Sequence, residues 1–330
     1  MTSTSDLWHD ARNPPADPTH LSFKNKAVLV TGAYGAGLGH FAAVKYAALG
    51  ANPLILAVRT QEKGEQAKAS IIQKTGCLPD IFIIETLDLS SFASVKSFAE
   101  RVNKRVPELH VIQHAGGVAG FSYVRSGDGW EMAVQVDLLS PVLLTLLLLP
   151  KMRDTASSSD PNAYRPHISF LNSRAIFGIP EVVAPPEDQT LIQGCNDEGK
   201  WDSRASYYLV KLATWYAVQG IADLCEGSDI VVNATCPGLC NTNMTKGLPT
   251  SIQLIMAVRY FFVGRSAEEG ARTLVSATGL GKESHGRFWM NDQYPKMTPF
   301  LESEKSTKMY HETWSEILSI LRDHVPPELI

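Results

Sequence analysis

A tyrosine and a lysine lie four residues apart in ASYYLVKLATWYA, an apolar stretch without proline that predicts a helix. This spacing puts Tyr207 and Lys211 on one face of the helix, about one turn apart. An ammonium group beside a phenol stabilises the phenolate and lowers the pKa of the tyrosine from its usual value of about 10. Such a tyrosine can exchange a proton with a carbonyl or alcohol oxygen while hydride moves at the attached carbon. Ser173, directly after the apolar run HISFLN, would direct its hydroxyl at the same oxygen.

Four glycines occur within eight residues in the segment TGAYGAGLG, which follows the first apolar run. Gly32, Gly37 and Gly39 allow the backbone to turn tightly, and the helix predicted to begin near Leu38 points its positive end at a phosphate. Tyr34 lies in the same turn. The pattern predicts a phosphate-binding turn, and a turn that serves packing alone remains the alternative.

The second apolar run ends with Val58 and Arg59, and Lys63 follows one helical turn later. A site for NAD usually has an acidic residue here, which accepts hydrogen bonds from the ribose 2′-hydroxyl. A guanidinium group instead suits a 2′-phosphate, and no carboxylate is present to repel it. We therefore predict NADP(H) rather than NAD(H), with a merely solvated Arg59 as the alternative.

Asp88 and Leu89 follow the third apolar run. A carboxylate at this strand end could accept a hydrogen bond from the adenine amino group. It could equally belong to the N-cap of the next helix, served by Asp88 or Ser90. Both interpretations stay open at this point.

Short apolar runs alternate with longer helical segments along most of the chain. The predicted strands are KAVLVT (26–31), PLILAV (53–58), IFIIETL (81–87), HVIQHA (110–115), HISFLN (167–172), IVVNAT (230–235) and GRFWMN (286–291). Continuous apolar runs are typical of strands covered on both faces, so we predict an α/β fold with a doubly wound, Rossmann-like parallel sheet. We predict a flexible N-terminal arm over residues 1–22 and a single domain with insertions over residues 23–330.

Composition excludes several classes of protein. The 330 residues are 44% hydrophobic and 19% charged, with a net charge of −4, so neither a disordered chain nor an electrostatic nucleic-acid binder is expected. Five cysteines without a CxxC pair predict no metal site and no disulfide framework. The polar N-terminus lacks the apolar core of a signal peptide, and the apolar run 142–149 is short for a membrane span. A cytoplasmic protein without a transmembrane segment is predicted.

Taken in order, the motifs resemble the short-chain dehydrogenase/reductase family, nearest to its fungal and retinol-dehydrogenase-like members. The resemblance covers about residues 24–325 and depends on TGAYGAGLG, AVRT, LDLSS, QHAG, DGWEMAVQVD, FLNS, YYLVK and CPGLCNT. It implies that Tyr207 is the acid/base, that Ser173 polarises the carbonyl, and that Lys211 holds the nicotinamide ribose. Asp137 occupies the family's fourth catalytic position. The further cofactor contacts that the resemblance implies are Asp88, Leu89, Ala115, Gly116, Pro237, Gly238, Leu239 and Thr242.

The sequence departs from the family pattern in three places. Gly32 and Gly37 are separated by one residue more than usual, and Gln113-His114 replaces the usual pair of asparagines. Asp137 replaces an asparagine, and its negative charge near Lys211 is expected to raise the pKa of Tyr207. His114 and Asp137 could form a new acid/base pair, but we favour drift at positions that tolerate polar residues.

Two segments are predicted to cover the substrate. Residues 178–203 are rich in proline and acids and predict a surface loop near the site, and residues 245–265 include an apolar stretch that predicts a lid. A dimer contact, in a possible homo-oligomer, or peripheral membrane association would explain the second stretch as well.

These observations predict an NADP(H)-dependent oxidoreductase acting on a hydrophobic ketone, aldehyde or alcohol, such as a secondary metabolite. A non-redox isomerase or cyclase on the same scaffold is the first alternative. A cofactor-bound module without turnover is the second.

Overall fold

Seven parallel strands form the central sheet of the chain. The structure, a computed structural model, describes residues 4–120, 122–156, 164–180, 183, 188–241, 260 and 262–329. The sheet strands are β1 (Val28–Thr31), β2 (Leu54–Val58), β3 (Phe82–Thr86), β4 (Val111–His114), β5 (His167–Leu171), β6 (Val231–Cys236) and β9 (Arg287–Met290). Two short strands, β7 (Cys240–Asn241) and β8 (Arg265–Ser266), pair with each other beside this sheet. Each of the seven predicted strands is present: six are shorter than predicted by one or two residues, and β6 keeps its predicted length but begins one residue later.

The strand order is β3-β2-β1-β4-β5-β6-β9, and every neighbouring pair is parallel. The chain runs outward from β1 to β3 and then returns to place β4 on the other side of β1. This reversal leaves a crevice beyond the carboxyl ends of β1 and β4, which is where doubly wound sheets bind ligands. The predicted fold class is confirmed.

Helices cover both faces of the sheet. They are α1 (Thr4–Arg12), α2 (Leu38–Ala48), α3 (Gln61–Thr75), α4 (Phe92–Arg105), α5 (Ser140–Ala156), α6 (Leu191–Asn196), α7 (Ser203–Leu224), α8 (Ala267–Ala277) and α9 (Glu304–Leu321). Helices α2, α3 and α8 enclose one apolar core, and α4, α5, α7 and α9 enclose a second on the opposite face. The inner strands β1, β2, β4, β5 and β6 are almost completely buried, which accounts for their apolar runs, whereas the edge strand β3 is only partly buried.

A π-helical segment, Val134–Leu139, precedes α5 and continues into it. Together the two form a helical stretch, Val134–Ala156, whose length and mean hydropathy of 1.5 would suit a membrane span. However, 83% of the most apolar 18-residue part of this stretch is buried inside the domain. Its hydrophobicity therefore matches its position in the core.

The N-terminal segment differs from the predicted flexible arm. Residues 4–12 form α1, and Leu7 is buried. Asp17 forms an ion pair with Lys45 of α2 at 2.7 Å, and Arg272 of α8 donates to the Pro15 carbonyl at 3.1 Å. These contacts attach the arm to helices α2 and α8. Both partners are more than twenty residues away in sequence, so no local pattern indicated the contacts.

The segment 178–203 also differs from a plain surface loop. Helix α6 lies within it, capped by Thr190, and buries Leu191, Ile192 and Cys195 in the core. Residues 181, 182 and 184–187 of this segment lie outside the described residues. Most of the predicted lid, 245–265, also lies outside them, as do Thr242 and residues 243 and 244.

Candidate active site

Tyr207, Ser173 and Lys211 come together at the carboxyl edge of the sheet. Ser173 follows β5, and its hydroxyl lies beside the Tyr207 phenol. The Lys211 ammonium lies 5.9 Å from the centroid of the Tyr207 ring, as their spacing on α7 requires. A substrate oxygen beside this pair of hydroxyl groups would therefore meet two hydrogen-bond donors at once.

Lys211 is paired with Asp137. The distance between Lys211 Nζ and Asp137 Oδ2 is 2.8 Å, and the two side chains are only 8% and 3% exposed. The second carboxylate oxygen, Oδ1, accepts from the backbone N–H of Val118 at 2.8 Å. Asp137 lies in the π-helical segment, whose wider turn changes the direction of side chains along the helix. The carboxylate thus joins the loop after β4 to the lysine of α7.

The pKa of Tyr207 is raised above its ordinary value. Burial is the largest cause and raises it, while the charge of Lys211 and the hydrogen bond from Ser173 lower it. Asp137 also raises it. Lys211 lowers the pKa of Tyr207, as predicted. The prediction that this pKa falls below its ordinary value is wrong, because burial raises it by more than the ammonium lowers it. The Tyr207 phenol is therefore protonated at neutral pH.

Asn172 is a site residue that the sequence analysis did not assign. Its Oδ1 accepts from the backbone N–H of Ser173 at 2.7 Å, and its Nδ2 donates to the Lys211 carbonyl at 3.2 Å. The side chain is buried. It therefore fixes the strand end that carries the serine to the helix that carries the lysine. A polar residue directly after a continuous apolar run was the available signal.

His114 and Asp137 have different partners and form no hydrogen bond or ion pair with each other. The ring is buried and lies 2.9 Å from the Thr145 hydroxyl of α5, and burial lowers the pKa of His114 to about 3. The imidazole is thus neutral at physiological pH, and the carboxylate of Asp137 is occupied by Lys211 and Val118. The favoured interpretation of drift is consistent with these contacts.

The glycine turn packs directly against the loop after β4. Gly32 has a φ of +67°, and a Cβ there would lie 2.7 Å from the Cα of Gly116. The Thr31 hydroxyl accepts from the backbone N–H groups of Ala115 and Gly116, each at 3.0 Å. A Cβ at Gly39 would lie 2.6 Å from the Gly32 carbonyl oxygen. Two of the predicted glycines are therefore required by close packing, which supports the packing interpretation for those two positions.

Helix α2 nevertheless has the features of a phosphate-binding end. Its N-cap is Gly37, and no side chain caps its first turn. Six other helices have a side chain that accepts from a first-turn N–H, supplied by Thr60, Ser91, Thr190, Asp202, Ser266 and Ser303. The uncapped donors of Leu38 and its neighbours therefore fit the phosphates of a dinucleotide.

Tyr34, Arg59 and Lys63 lie around the first turn of α3. The Lys63 ammonium is 5.1 Å from the centroid of the Tyr34 ring, and the Tyr34 hydroxyl donates to Gln66 at 3.2 Å. Arg59 is exposed at the end of β2. Two cations and a phenol thus flank the position where a ribose 2′-substituent would lie in this fold.

Asp88 forms a local turn. Its Oδ1 accepts from the backbone N–H of Ser90 at 3.0 Å and from the Ser90 hydroxyl at 2.7 Å. Although burial raises the pKa of Asp88, these bonds and the charge of Arg59 lower it overall. The N-cap of α4 is Ser91, so the suggestion that Asp88 or Ser90 caps this helix is wrong. The side chain of Ser91 is one residue nearer the helix and reaches the N–H of Ser94.

The turn after β6 carries the remaining predicted contacts, Pro237, Gly238 and Leu239. Gly238 has a φ of +80°. The Arg265 guanidinium donates from Nη1 to the Pro237 carbonyl at 3.3 Å and is itself 2% exposed. Sequence analysis did not identify Arg265, because its partners are distant in the chain.

Comparisons with known proteins agree with this geometry. A family model described as short chain dehydrogenase matches residues 26–159. The chain is 36% identical over 326 residues to the short-chain dehydrogenase/reductase ffsI of Aspergillus flavipes, covering 98% of this chain and 94% of that protein. The chain therefore belongs to the short-chain dehydrogenase/reductase family. A second similar protein, the short-chain dehydrogenase/reductase phmF of Phaeosphaeria nodorum, is 35% identical over 321 residues, covering 97% of this chain and 93% of that one.

Solved structures confirm the fold. The Pseudomonas aeruginosa RhlG/NADP active-site complex superposes with a TM-score of 0.61 at 20% identity, covering 82% of this chain and 95% of that one. L-Sorbose reductase from Gluconobacter frateurii, complexed with NADPH and L-sorbose, has a TM-score of 0.61 at 17% identity, covering 82% and 96%.

Proposed function

We propose that this protein is an NADP(H)-dependent oxidoreductase that interconverts a hydrophobic ketone or aldehyde and the matching alcohol. The observation that carries the proposal is the meeting of Ser173 and Tyr207 at this edge of the sheet, with the Lys211 ammonium 5.9 Å from the Tyr207 ring. Packing does not require a serine, a tyrosine and a lysine to meet at the ligand-binding edge of the sheet. Proton transfer to a carbonyl oxygen uses all three.

Tyr207 is the proposed proton donor, and the bound nicotinamide would supply the hydride. The raised pKa of Tyr207 keeps the phenol protonated at neutral pH, which is the form that donates to a carbonyl oxygen. Ser173 would donate a second hydrogen bond to the same oxygen and stabilise its developing negative charge. Lys211, held by Asp137, would stabilise the phenolate that remains.

The coenzyme preference is proposed from the residues at the β2 end. Arg59 and Lys63 present two cations there and suit a 2′-phosphate better than a free hydroxyl. The uncapped start of α2 would hold the dinucleotide phosphates. Two structural neighbours are complexes with NADP or NADPH, which is consistent with this preference.

The apolar substrate is proposed from the sequence of the segment 245–265. The hydrophobic residues there suit a bulky molecule with little charge, such as a secondary metabolite, and a cytoplasmic setting would supply NADPH. This part of the proposal depends on composition rather than on described contacts.

The test is coenzyme consumption. The purified protein is titrated with NADPH and NADH, and it is then incubated with NADPH and a panel of hydrophobic ketones and aldehydes. We expect tighter binding of NADPH and loss of reduced-nicotinamide absorbance with at least one apolar carbonyl compound. Binding without any coenzyme oxidation, accompanied by isomerisation or cyclisation of a panel compound, would support the non-redox alternative and contradict this proposal.

A further inference from the structure

The N-terminal helix α1 reaches the candidate active site through Asp10. Its carboxylate Oδ2 lies 2.8 Å from Nη1 of Arg174, and its Oδ1 accepts from Nδ2 of Asn291 at 2.9 Å. The Asp10 carbonyl accepts from Nε of Arg265 at 2.9 Å. Arg174 follows the proposed catalytic Ser173, and Asn291 directly follows β9. One residue near the N-terminus therefore contacts three segments at the carboxyl edge of the sheet.

Arg265 extends this contact to the turn after β6. In addition to its bond to Pro237, its Nη1 donates to Oδ1 of Asn291 at 2.7 Å. A Cβ built at Gly238 would lie 2.9 Å from the same nitrogen, so the guanidinium lies directly against the backbone of the turn. Asp10 is thus linked to the Pro237–Gly238 turn through a single side chain.

The contacts between Asp10 and the arginines are largely removed from water. The side chains of Asp10 and Arg174 are 17% and 19% exposed, and the two atoms that face each other are buried. Burial and the nearby charge of Arg174 lower the pKa of Arg265, while Asp10 raises it. Without this carboxylate, two guanidinium groups would lie close together in a poorly hydrated place, which strongly favours their separation.

Cys236 shows that the two turns are already in contact. The backbone N–H of Arg174 donates to Sγ of Cys236 at 3.3 Å, which joins the turn after β5 to the end of β6. Separation of Arg174 from Arg265 would therefore act directly on this junction.

We propose that Asp10 is a positioning residue that holds the Ser173 turn and the Pro237–Gly238 turn at the separation required for coenzyme binding. This inference depends on the proposed function, because it assigns the nicotinamide end of the coenzyme to the space between these turns. It also gives the N-terminal segment a role beyond packing. Asp10 itself does not contact the reacting atoms.

The first experiment measures the dissociation constant for NADPH by fluorescence titration of the wild type and of Asp10→Asn. We expect the variant to bind about tenfold more weakly, a change of about 1.4 kcal/mol, because the turns separate. The matched control is Asp17→Asn, which removes the ion pair with Lys45 from the same N-terminal segment and leaves Asp10 and its partners unchanged. We expect this control to bind NADPH within about twofold of the wild type.

The second experiment needs no coenzyme. Cys236 is 2% exposed, and thiol labelling of the folded protein, mapped by peptide mass, reports how often the junction opens. We expect Asp10→Asn to label Cys236 about tenfold faster than the wild type, and Asp17→Asn to label it at the wild-type rate.

Each outcome decides the inference. Equal NADPH affinity and equal Cys236 labelling in Asp10→Asn and wild type would overturn it, while leaving the proposed function intact. A wild type that binds neither NADPH nor NADH would overturn both. If Asp10→Asn fails to fold, the double variant Asp10→Asn/Arg174→Gln also removes the repulsion between the two guanidinium groups. Recovery of folding with an NADPH affinity within about twofold of the wild type supports the inference, and a double variant that does not fold, or that binds NADPH about tenfold more weakly, overturns it.

Discussion

Asp137 is the residue at which this site differs most in charge from the pattern of its family. A carboxylate replaces the neutral amide, and it forms a buried ion pair with Lys211. Breaking such a pair leaves a buried charge without a partner, so the two residues depend on each other. The ammonium is also the group that opposes the effect of burial on Tyr207. Asp137 therefore limits how far Lys211 can lower the pKa of the phenol.

The variant Asp137→Asn tests this account of the tyrosine. Removing a carboxylate that raises the pKa of Tyr207 should lower that pKa. Carbonyl reduction needs the protonated phenol, so the fall in kcat/KM with rising pH should begin at lower pH than in the wild type. The measurement is kcat/KM for NADPH-dependent reduction as a function of pH.

Glu131→Gln is the control for this experiment. Glu131 is a buried carboxylate near the start of the same helix and accepts from the N–H groups of Ala133 and Val134. Its described hydrogen bonds are to Ala133, Val134 and Asn196 and not to Tyr207 or Lys211. An alkaline limb of Asp137→Asn that stays in place or moves to higher pH would contradict the account.

Coenzyme choice is also decided by single residues. Replacing Arg59 by alanine removes a cation at the β2 end, so the preference for NADPH over NADH should fall by about tenfold or more, the size of a lost charge-assisted contact. The ratio of the two dissociation constants measures this preference. Lys74→Ala, at the far end of α3, controls for a general loss of positive charge, and an unchanged ratio in Arg59→Ala would refute the assignment.

The sequence predicts residues whose partners are local and misses those whose partners are remote. Tyr207 and Lys211 are one helical turn apart, so their shared face could be inferred from spacing alone. The placing of Ser173 beside Tyr207 could be inferred from the order of strand and helix in the chain. Asp10 contacts Arg174, 164 residues later in the chain, and no local pattern predicts such a contact.

At the scale of elements, the strands were predictable because most of them are buried on both faces and are mainly apolar. The π-helical start of α5 was not, since its sequence VQVDLL is compatible with an ordinary helix. Helix α6 was missed because its six residues are too few for a periodic pattern. Helical periodicity indicates that α9 has an apolar face, but it does not indicate that this face packs against α7.

Gly220 shows how closely α9 approaches α7. A Cβ there would lie 2.2 Å from the Trp314 ring, and Tyr216 is hydrogen-bonded to Ser306 at 2.8 Å. Gly220→Ala should therefore lower the free energy of unfolding by about 1–3 kcal/mol, the usual cost of overpacking. Chemical denaturation measures this change.

Gly127→Ala is the matched control, since nothing lies within 4 Å of a Cβ built there. Its free energy of unfolding should stay close to that of the wild type. Equal stability of the two variants would show that α9 can move away from α7 at little cost.

At the scale of the whole molecule, buried histidines link stability to pH. Burial lowers the pKa of His110 and His167 to about 4 and that of His114 to about 3. Between the ordinary pKa of about 6.5 and these values, the unfolded chain binds protons that the folded chain does not. The free energy of unfolding should therefore fall as the pH decreases from 6.5 towards 4.

His114→Asn isolates one contribution. The variant loses one proton taken up on unfolding, so the slope of unfolding free energy against pH between 6 and 4 should decrease by about 1.4 kcal/mol per pH unit. Thr145→Val is the control, because it removes the hydrogen-bond partner of His114 without removing the titrating ring. Equal slopes in wild type and His114→Asn would contradict this prediction.

The fold positions Tyr207, and a comparison of two tyrosine variants with the wild type tests most directly whether Tyr207 is the proton donor. The rate of NADPH oxidation with an apolar carbonyl substrate is measured for wild type, Tyr207→Phe and Tyr208→Phe, the neighbouring tyrosine on α7. We predict that Tyr207→Phe binds NADPH like the wild type but loses about 10²–10⁴-fold in rate, while Tyr208→Phe keeps a rate within about tenfold of it. Tyr207→Phe with wild-type turnover would contradict the assignment of Tyr207 as the proton donor.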